Sequence, residues 1–129
     1  MRDLGSTQPT AAELEILRIV WAIEPCTVGD VHARLVAEKG TNYSTTMKML
    51  SLMLGKGLLV RDERASPHRY RARLTRNKAR RSMLGELIEK VYEGSAMGVA
   101  LQALSHSRAT PEEIAEARAL LDRLERRHN

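Results

Sequence analysis

The chain has no phenylalanine, and only one Trp and three Tyr among its 129 residues. Its core must be built from Leu, Ile, Val, Met and Ala, a set that suits helices. Cys26 is the single cysteine, which excludes an intrachain disulfide and points to a reducing compartment. No apolar run approaches the ~20 residues of a membrane-spanning helix. The opening MRDLGSTQP lacks the hydrophobic stretch of a secretory signal. The expectation is a cytoplasmic protein with no membrane partner. Enzyme signatures are also missing. There is no glycine-rich phosphate loop, no paired metal-ligand spacing and no nucleophile in a recognisable setting, and His32, His68, His106 and His128 are scattered. No catalytic residue, metal or cofactor is expected.

What is abundant is positive charge, and it is concentrated. The net charge is +5 and the isoelectric point about 9.8. Between Arg61 and Arg81 nine bases face only Asp62 and Glu63, so this stretch alone carries +7 and the remainder is slightly acidic. A patch of this density suits a polyanion. The alternative is a solvated basic face.

Helix signals are local and clear. Residues 1–9 read as a tail. Thr10 and Glu13 form a capping-box pattern, and Leu14, Leu17, Val20 and Trp21 follow at helical spacing, with Ile16, Ile19 and Ile23 beside them. A first helix is expected over about 11–23, ended by Glu24-Pro25. Residues 26–28 suit a short strand. Thr27 and Asp30 repeat the capping pattern before a second helix with a stripe of Val31, Leu35 and Val36, stopped by Gly40. His32 lies off that stripe and reads as a surface residue. A third helix is expected from near Ser44 to Gly57. Steps of 100° place Thr46, Met49, Leu50, Met53 and Leu54 on a core face, and Ser44, Thr45, Lys48, Ser51 and Leu52 on the other.

Leu58-Leu59-Val60 is β-prone. Residues 68–74 alternate, with Tyr70, Ala72 and Leu74 on one face and Arg69, Arg71 and Arg73 on the other. Arg64-Ala-Ser-Pro67 supplies a turn. After Thr75 the periodicity is helical again. Met83, Leu84, Leu87, Ile88, Val91 and Tyr92 mark one amphipathic stretch. Met97, Val99, Ala100, Leu101 and Leu104 mark another after Gly94-Ser95. Thr110-Pro-Glu-Glu113 then caps a last helix carrying Ile114, Ala117, Leu120, Leu121 and Leu124.

This order fits a mainly α fold with a small β-hairpin wing (α+β). A winged helix-turn-helix DNA-binding domain is expected at 1–75 and a helical dimerisation domain at 76–129. The third helix would present its N-terminal half to the major groove of double-stranded DNA. Hydroxyls and one lysine there can bond to bases or phosphates. The expected DNA contacts are Asn42, Tyr43, Ser44, Thr45, Lys48 and Ser51, with Arg64, His68, Arg69 and Arg71 on the wing. Leu52 either packs on a thymine methyl or leans into the protein. The basic hairpin either touches the DNA backbone or is a solvated edge kept from aggregating by its charge.

One small module offers few base contacts, and the later apolar stripes have no obvious core of their own. A homodimer reading two half-sites is therefore expected through Leu84, Leu87, Ile88, Val91, Met97, Leu101, Leu104, Ile114, Ala117, Leu121 and Leu124. The alternative is that these helices fold back on their own module.

The segments TAAELEILRIVW, TVGDVHARL, NYSTTMKMLSLMLGKGLLVR and HRYRARLT, with EGSAMGVALQAL further on, resemble the penicillinase-repressor family (BlaI/MecI/CopY) of bacterial winged-helix repressors. The likeness runs from about Gln8 to Arg127. It implies a homodimer on inverted-repeat operators, repressing β-lactam-resistance or related stress genes, with dimerisation through the C-terminal helices. It assigns DNA contacts to Ser44, Thr45 and Lys48. Family members often carry a base where this chain has Leu52. It also implies a regulatory protease as a partner in antibiotic-responsive members, cutting near Gln102-Ala103, although the residue pair differs from that of the best-known site. Copper-responsive members carry paired C-terminal cysteines, which this chain lacks. Two further readings stand beside the repressor: a winged-helix module for protein contact, and a regulator with a ligand pocket between its two parts.

Overall fold

The computed structural model describes residues 8–128. It has the α+β winged-helix architecture, with six helices and one antiparallel hairpin among the described residues. The expected tail lies outside those residues except for Gln8 and Pro9. The chain divides into two compact units, Met1–Glu86 and Leu87–Asn129.

In the first unit, α1 spans Ala11–Ile23, α2 Val28–Lys39 and α3 Tyr43–Gly55. Reciprocal capping boxes form at Thr10/Glu13 and Thr27/Asp30, satisfying amides that a helix N-terminus otherwise leaves unpaired. Gly40 closes α2 at φ 66° with its N–H on the Val36 carbonyl, a left-handed conformation that glycine adopts without a Cβ penalty. The core gathers Ile16, Leu17, Ile19 and Val20 from α1, Val31 and Leu35 from α2, and Leu50 and Met53 from α3. Leu50 is wholly buried, so truncation to alanine costs about 2–5 kcal/mol.

The hairpin pairs β1 (Leu59–Asp62) with β2 (Arg69–Ala72), with Arg61 opposite Tyr70 and Asp62 opposite Arg69. Leu59 and Tyr70 turn inward and are buried. The other edge of Tyr70 is taken by Cys26, whose N–H and carbonyl exchange bonds of 3.0 and 2.6 Å with it. The short strand expected at 26–28 is thus a single bridge, because Thr27 already caps α2.

Four other expectations are corrected. The third helix begins at Tyr43, next to the expected Ser44, where the Asn42 side chain caps it, but it ends at Gly55 rather than Gly57. Beyond it, Gly57 takes φ 80° and turns the chain into β1. Val36 is 46% exposed although it falls in the apolar stripe; α2 is buried only along Val31 and Leu35. His32 is half-buried, as described below. Leu74 is 44% exposed although alternation groups it with Tyr70, since β2 ends at Ala72 and pleating no longer dictates its side.

The remaining helices are α4 (Arg76–Val91), α5 (Ala96–Ser105) and α6 (Pro111–Arg127). A third capping box, Thr110/Glu113, opens α6. The start of α4 belongs to the first unit: Ala79 is buried, and Arg76 stacks on the Trp21 ring, 5.8 Å from its centroid. Trp21 Nε1 donates to the Leu74 carbonyl at 2.9 Å. In the second unit neither α5 nor α6 has a single buried residue.

Candidate nucleic-acid interface

The outer face of α3 is set by its cap and by what its inner face must do. Asn42 Oδ1 accepts from the Thr45 amide and the Ser44 hydroxyl, each at 2.9 Å. The first satisfies a backbone amide that the helix N-terminus otherwise leaves unpaired, and the second fixes the Ser44 hydroxyl beside it. Asn42 is therefore engaged through Oδ1, and the residue as a whole is exposed. Inward, Thr46, Leu50 and Met53 are buried. Outward, Ser44, Thr45, Lys48, Ser51 and Leu52 are all exposed, as the 100° projection expects. Leu52 is 53% exposed, so it points to solvent rather than into the protein. Met47 joins it at 50%, a residue that the face assignment passed over because it sits on the flank. The exposed strip is small, mostly hydroxylic and singly charged. A helix of 13 residues is about 20 Å long, and the groove it would enter is about 12 Å wide.

His32 and Tyr43 are tied to this helix in a way that residue spacing does not reveal. His32 Nδ1 is hydrogen-bonded to Thr46 Oγ1 at 3.0 Å, and that hydroxyl also lies 3.4 Å from the Asn42 carbonyl. The imidazole also meets Tyr43 edge to face, with centroids 5.2 Å apart, a favourable aromatic geometry. His32 thus holds α2 to the first turn of α3, and Tyr43, 47% exposed, stands at the rim of the exposed face.

The wing sorts its charges. Asp62 Oδ1 accepts from the Arg64 amide at 3.0 Å and from its Nε at 3.2 Å. These bonds hold the Asp62 carboxyl below its ordinary range, the amide contributing most. Arg61 pairs with Glu63, which is likewise held low. The wing's only two acids are thereby spent on Arg61 and Arg64. Arg69, Arg71 and Arg73 are exposed and make no ion pair among the described residues. His68 is exposed beside them.

Two contacts brace the scaffold beneath this surface. Glu24 Oε1 accepts from the Ala72 amide at 2.8 Å, fastening the end of α1 to β2. Glu13, only 6% exposed, accepts from Lys56 Nζ at 2.7 Å, across the chain from the start of α1 to the end of α3. Burial pushes the Glu13 carboxyl up, but Lys56 and the Thr10 amide and hydroxyl outweigh it, so it sits below its ordinary value. Sequence spacing marked Glu13 only as a cap.

The fold, the exposed helix face and the basic hairpin agree with a further observation: the family model described as penicillinase repressor matches residues 9–123. The chain belongs to the penicillinase-repressor family. No curated protein matches the chain.

Penicillinase repressors are transcriptional regulators, and this member carries no grouping of three or more His, Cys, Asp or Glu side chains able to hold a metal among the described residues. Cys26 is fully buried, and burial, with the Asp30 and Glu24 carboxylates nearby, pushes its thiol up to about 11. It is neither a thiolate ligand nor a nucleophile at neutral pH. No helix is long and apolar enough to cross a membrane among the described residues.

Of the residues expected to join copies, Leu84, Leu87, Val91, Met97, Leu101, Leu104, Ile114 and Leu121 are exposed, and Ile88, Ala117 and Leu124 are half-buried. Gln102 and Ala103 are exposed within α5, and the His106 ring donates to the Gln102 carbonyl at 2.9 Å.

Proposed function

We propose that the protein is a cytoplasmic repressor that binds inverted-repeat operator DNA as a homodimer. The observation that carries the reading is an exposed hydroxyl-and-lysine face on α3, in one compact unit with a hairpin whose Arg69 and Arg71 make no ion pair among the described residues. In this reading Asn42, Tyr43, Ser44, Thr45, Lys48 and Ser51 reach the major groove. Arg64, His68, Arg69 and Arg71 hold the backbone or the neighbouring minor groove, fixing register and contributing most of the salt dependence.

The second unit supports the dimer. With no residue of α5 or α6 buried, Met97, Leu101, Leu104, Ile114, Leu120 and Leu121 remain bare to water. Contiguous apolar surface of this kind marks an interaction site, and a second copy offers the same stripe in a self-complementary contact. Residues 76–129 would then form the dimerisation part and 1–75 the reading part.

Derepression by cleavage near Gln102-Ala103 fits this arrangement. The bond lies inside a ten-residue helix, short enough to be marginal alone, so a protease would act on its transiently opened form. Loss of α6 would remove half of the dimer stripe.

Protection footprinting on DNA upstream of the protein's own gene tests the reading. Two protected half-sites related by inversion are expected. Uniform, sequence-independent binding at all salt concentrations would refute it.

A further inference from the structure

A cavity of about 520 Å³ opens in the first unit, beneath the recognition helix and the wing. Its walls are mainly apolar: Leu17 and Trp21 from α1, Leu58 before β1, Leu74 after β2 and Met83 on α4. Among the described residues, Lys56 and Arg73 are the charged ones on its lining, and no acid lines it. The volume falls within the ~300–1,000 Å³ range of small-molecule sites, which are also largely apolar with a few placed polar groups.

The two cations are not equivalent. Lys56 is already committed to Glu13 at 2.7 Å. Arg73 makes no ion pair among the described residues, and its backbone N–H is held by the Leu58 carbonyl at 3.0 Å. That bond fixes the backbone of a residue whose guanidinium has no ion-pair partner among the described residues. Arginine binds carboxylate groups through a two-pronged fork.

We propose that this cavity is a ligand site for an amphipathic monocarboxylate, with Arg73 holding the carboxylate and Trp21, Leu17, Leu58 and Met83 enclosing an apolar body. The site is placed to affect DNA binding. Its lining includes Gly55, Lys56 and Gly57, the last turn of α3 and the left-handed residue that leads into β1. It also includes the exit of β2. An occupant touches the chain on both sides of the wing, at its entry from α3 and at its exit toward α4, so a ligand that prefers one wing position would shift the wing toward it. All of its lining residues belong to the first compact unit, Met1–Glu86.

Trp21 is the only tryptophan, so its fluorescence reports the cavity directly. Titrate the full chain, without DNA, with octanoate and with octanamide. A saturable change with octanoate and at least tenfold weaker binding of the amide is expected. Arg73→Gln should weaken octanoate at least tenfold while leaving the amide and the melting temperature unchanged, and Arg73→Lys should recover most of the loss. Equal responses to acid and amide, a non-saturating change, or undiminished octanoate binding by Arg73→Gln would each overturn the proposal. Because DNA is absent, none of these outcomes bears on the repressor reading.

Discussion

Lys56 Nζ lies 2.7 Å from Glu13 Oε1, joining the third residue of the α1 capping box to the C-cap of α3. The carboxylate is nearly enclosed and the ammonium is partly exposed. One side chain therefore serves the cap of α1 and the placement of α3 together.

Replacing Glu13 by Gln should destabilise the fold by about 1–3 kcal/mol at pH 7, the range for leaving a buried partner unpaired. The sign with pH follows from the lowered carboxyl. Its contribution is full above the ordinary value of 4.5 and is lost as pH falls through the lower folded value. Urea unfolding of both proteins from pH 7 to pH 3 should show the difference shrinking below pH 4.5. A constant gap across that range would show that the ion pair contributes nothing to stability.

Neutralising Arg69 and Arg71 to Gln should weaken binding to all DNA sequences alike. The slope of log affinity against log salt should fall by about 2, since each phosphate contact contributes about 0.9. Fluorescence anisotropy across a salt series measures it. An unchanged slope would remove the wing from the interface.

Lys48→Ala should act differently. A base-reading contact is worth about 1–3 kcal/mol of discrimination, so operator affinity should drop while random-sequence affinity changes little. Competition between operator and scrambled duplex reads this out. Equal losses on both would reassign Lys48 to a phosphate.

The exposed stripe on α5 and α6 predicts a species of twice 14.5 kDa in sedimentation at micromolar concentration. Leu101→Asp and Leu121→Asp together should return it to the monomer mass, because buried unpaired carboxylates are costly, while helix content stays close to the original. A wild-type chain that sediments at 14.5 kDa would end the dimer proposal.

Cys26 should resist thiol reagents at pH 8 in the folded state and react only on unfolding. Its pKa is raised on folding from 9.0 to about 11, so the contribution to stability is present below pH 9 and is lost as pH rises through about 11. Cys26→Val should remove that alkaline component. Rapid labelling at pH 8 under native conditions would show that the site opens.

Much of this architecture is legible in the sequence because its signals are local. The capping boxes at Thr10, Thr27 and Thr110 involve residues three apart, so composition and spacing suffice to find them. The same holds for the two faces of α3 and for the alternation of Arg69, Tyr70 and Arg71. The polar side of α3 could be predicted because 100° steps leave little choice once Thr46, Leu50 and Met53 turn inward.

The misses have a common cause. His32 read as a surface residue because its partner, Thr46, is fourteen positions away and on another helix. Glu13 read only as a cap because Lys56 is forty-three positions away. Leu74 read as an inward residue because alternation cannot show where a strand ends.

The amino-acid sequence by itself determined the helices, the caps at Thr10, Thr27 and Thr110, the basic hairpin and the family. Each depends on backbone hydrogen bonding and side-chain periodicity within a few residues. Only the tertiary structure decided that Leu52 faces solvent, that the wing's acids pair with Arg61 and Arg64 while Arg69 and Arg71 make no ion pair among the described residues, and that a cavity lies beside the wing. Those outcomes depend on which distant side chains compete for the same space and the same charge, and that competition exists only once the chain is folded.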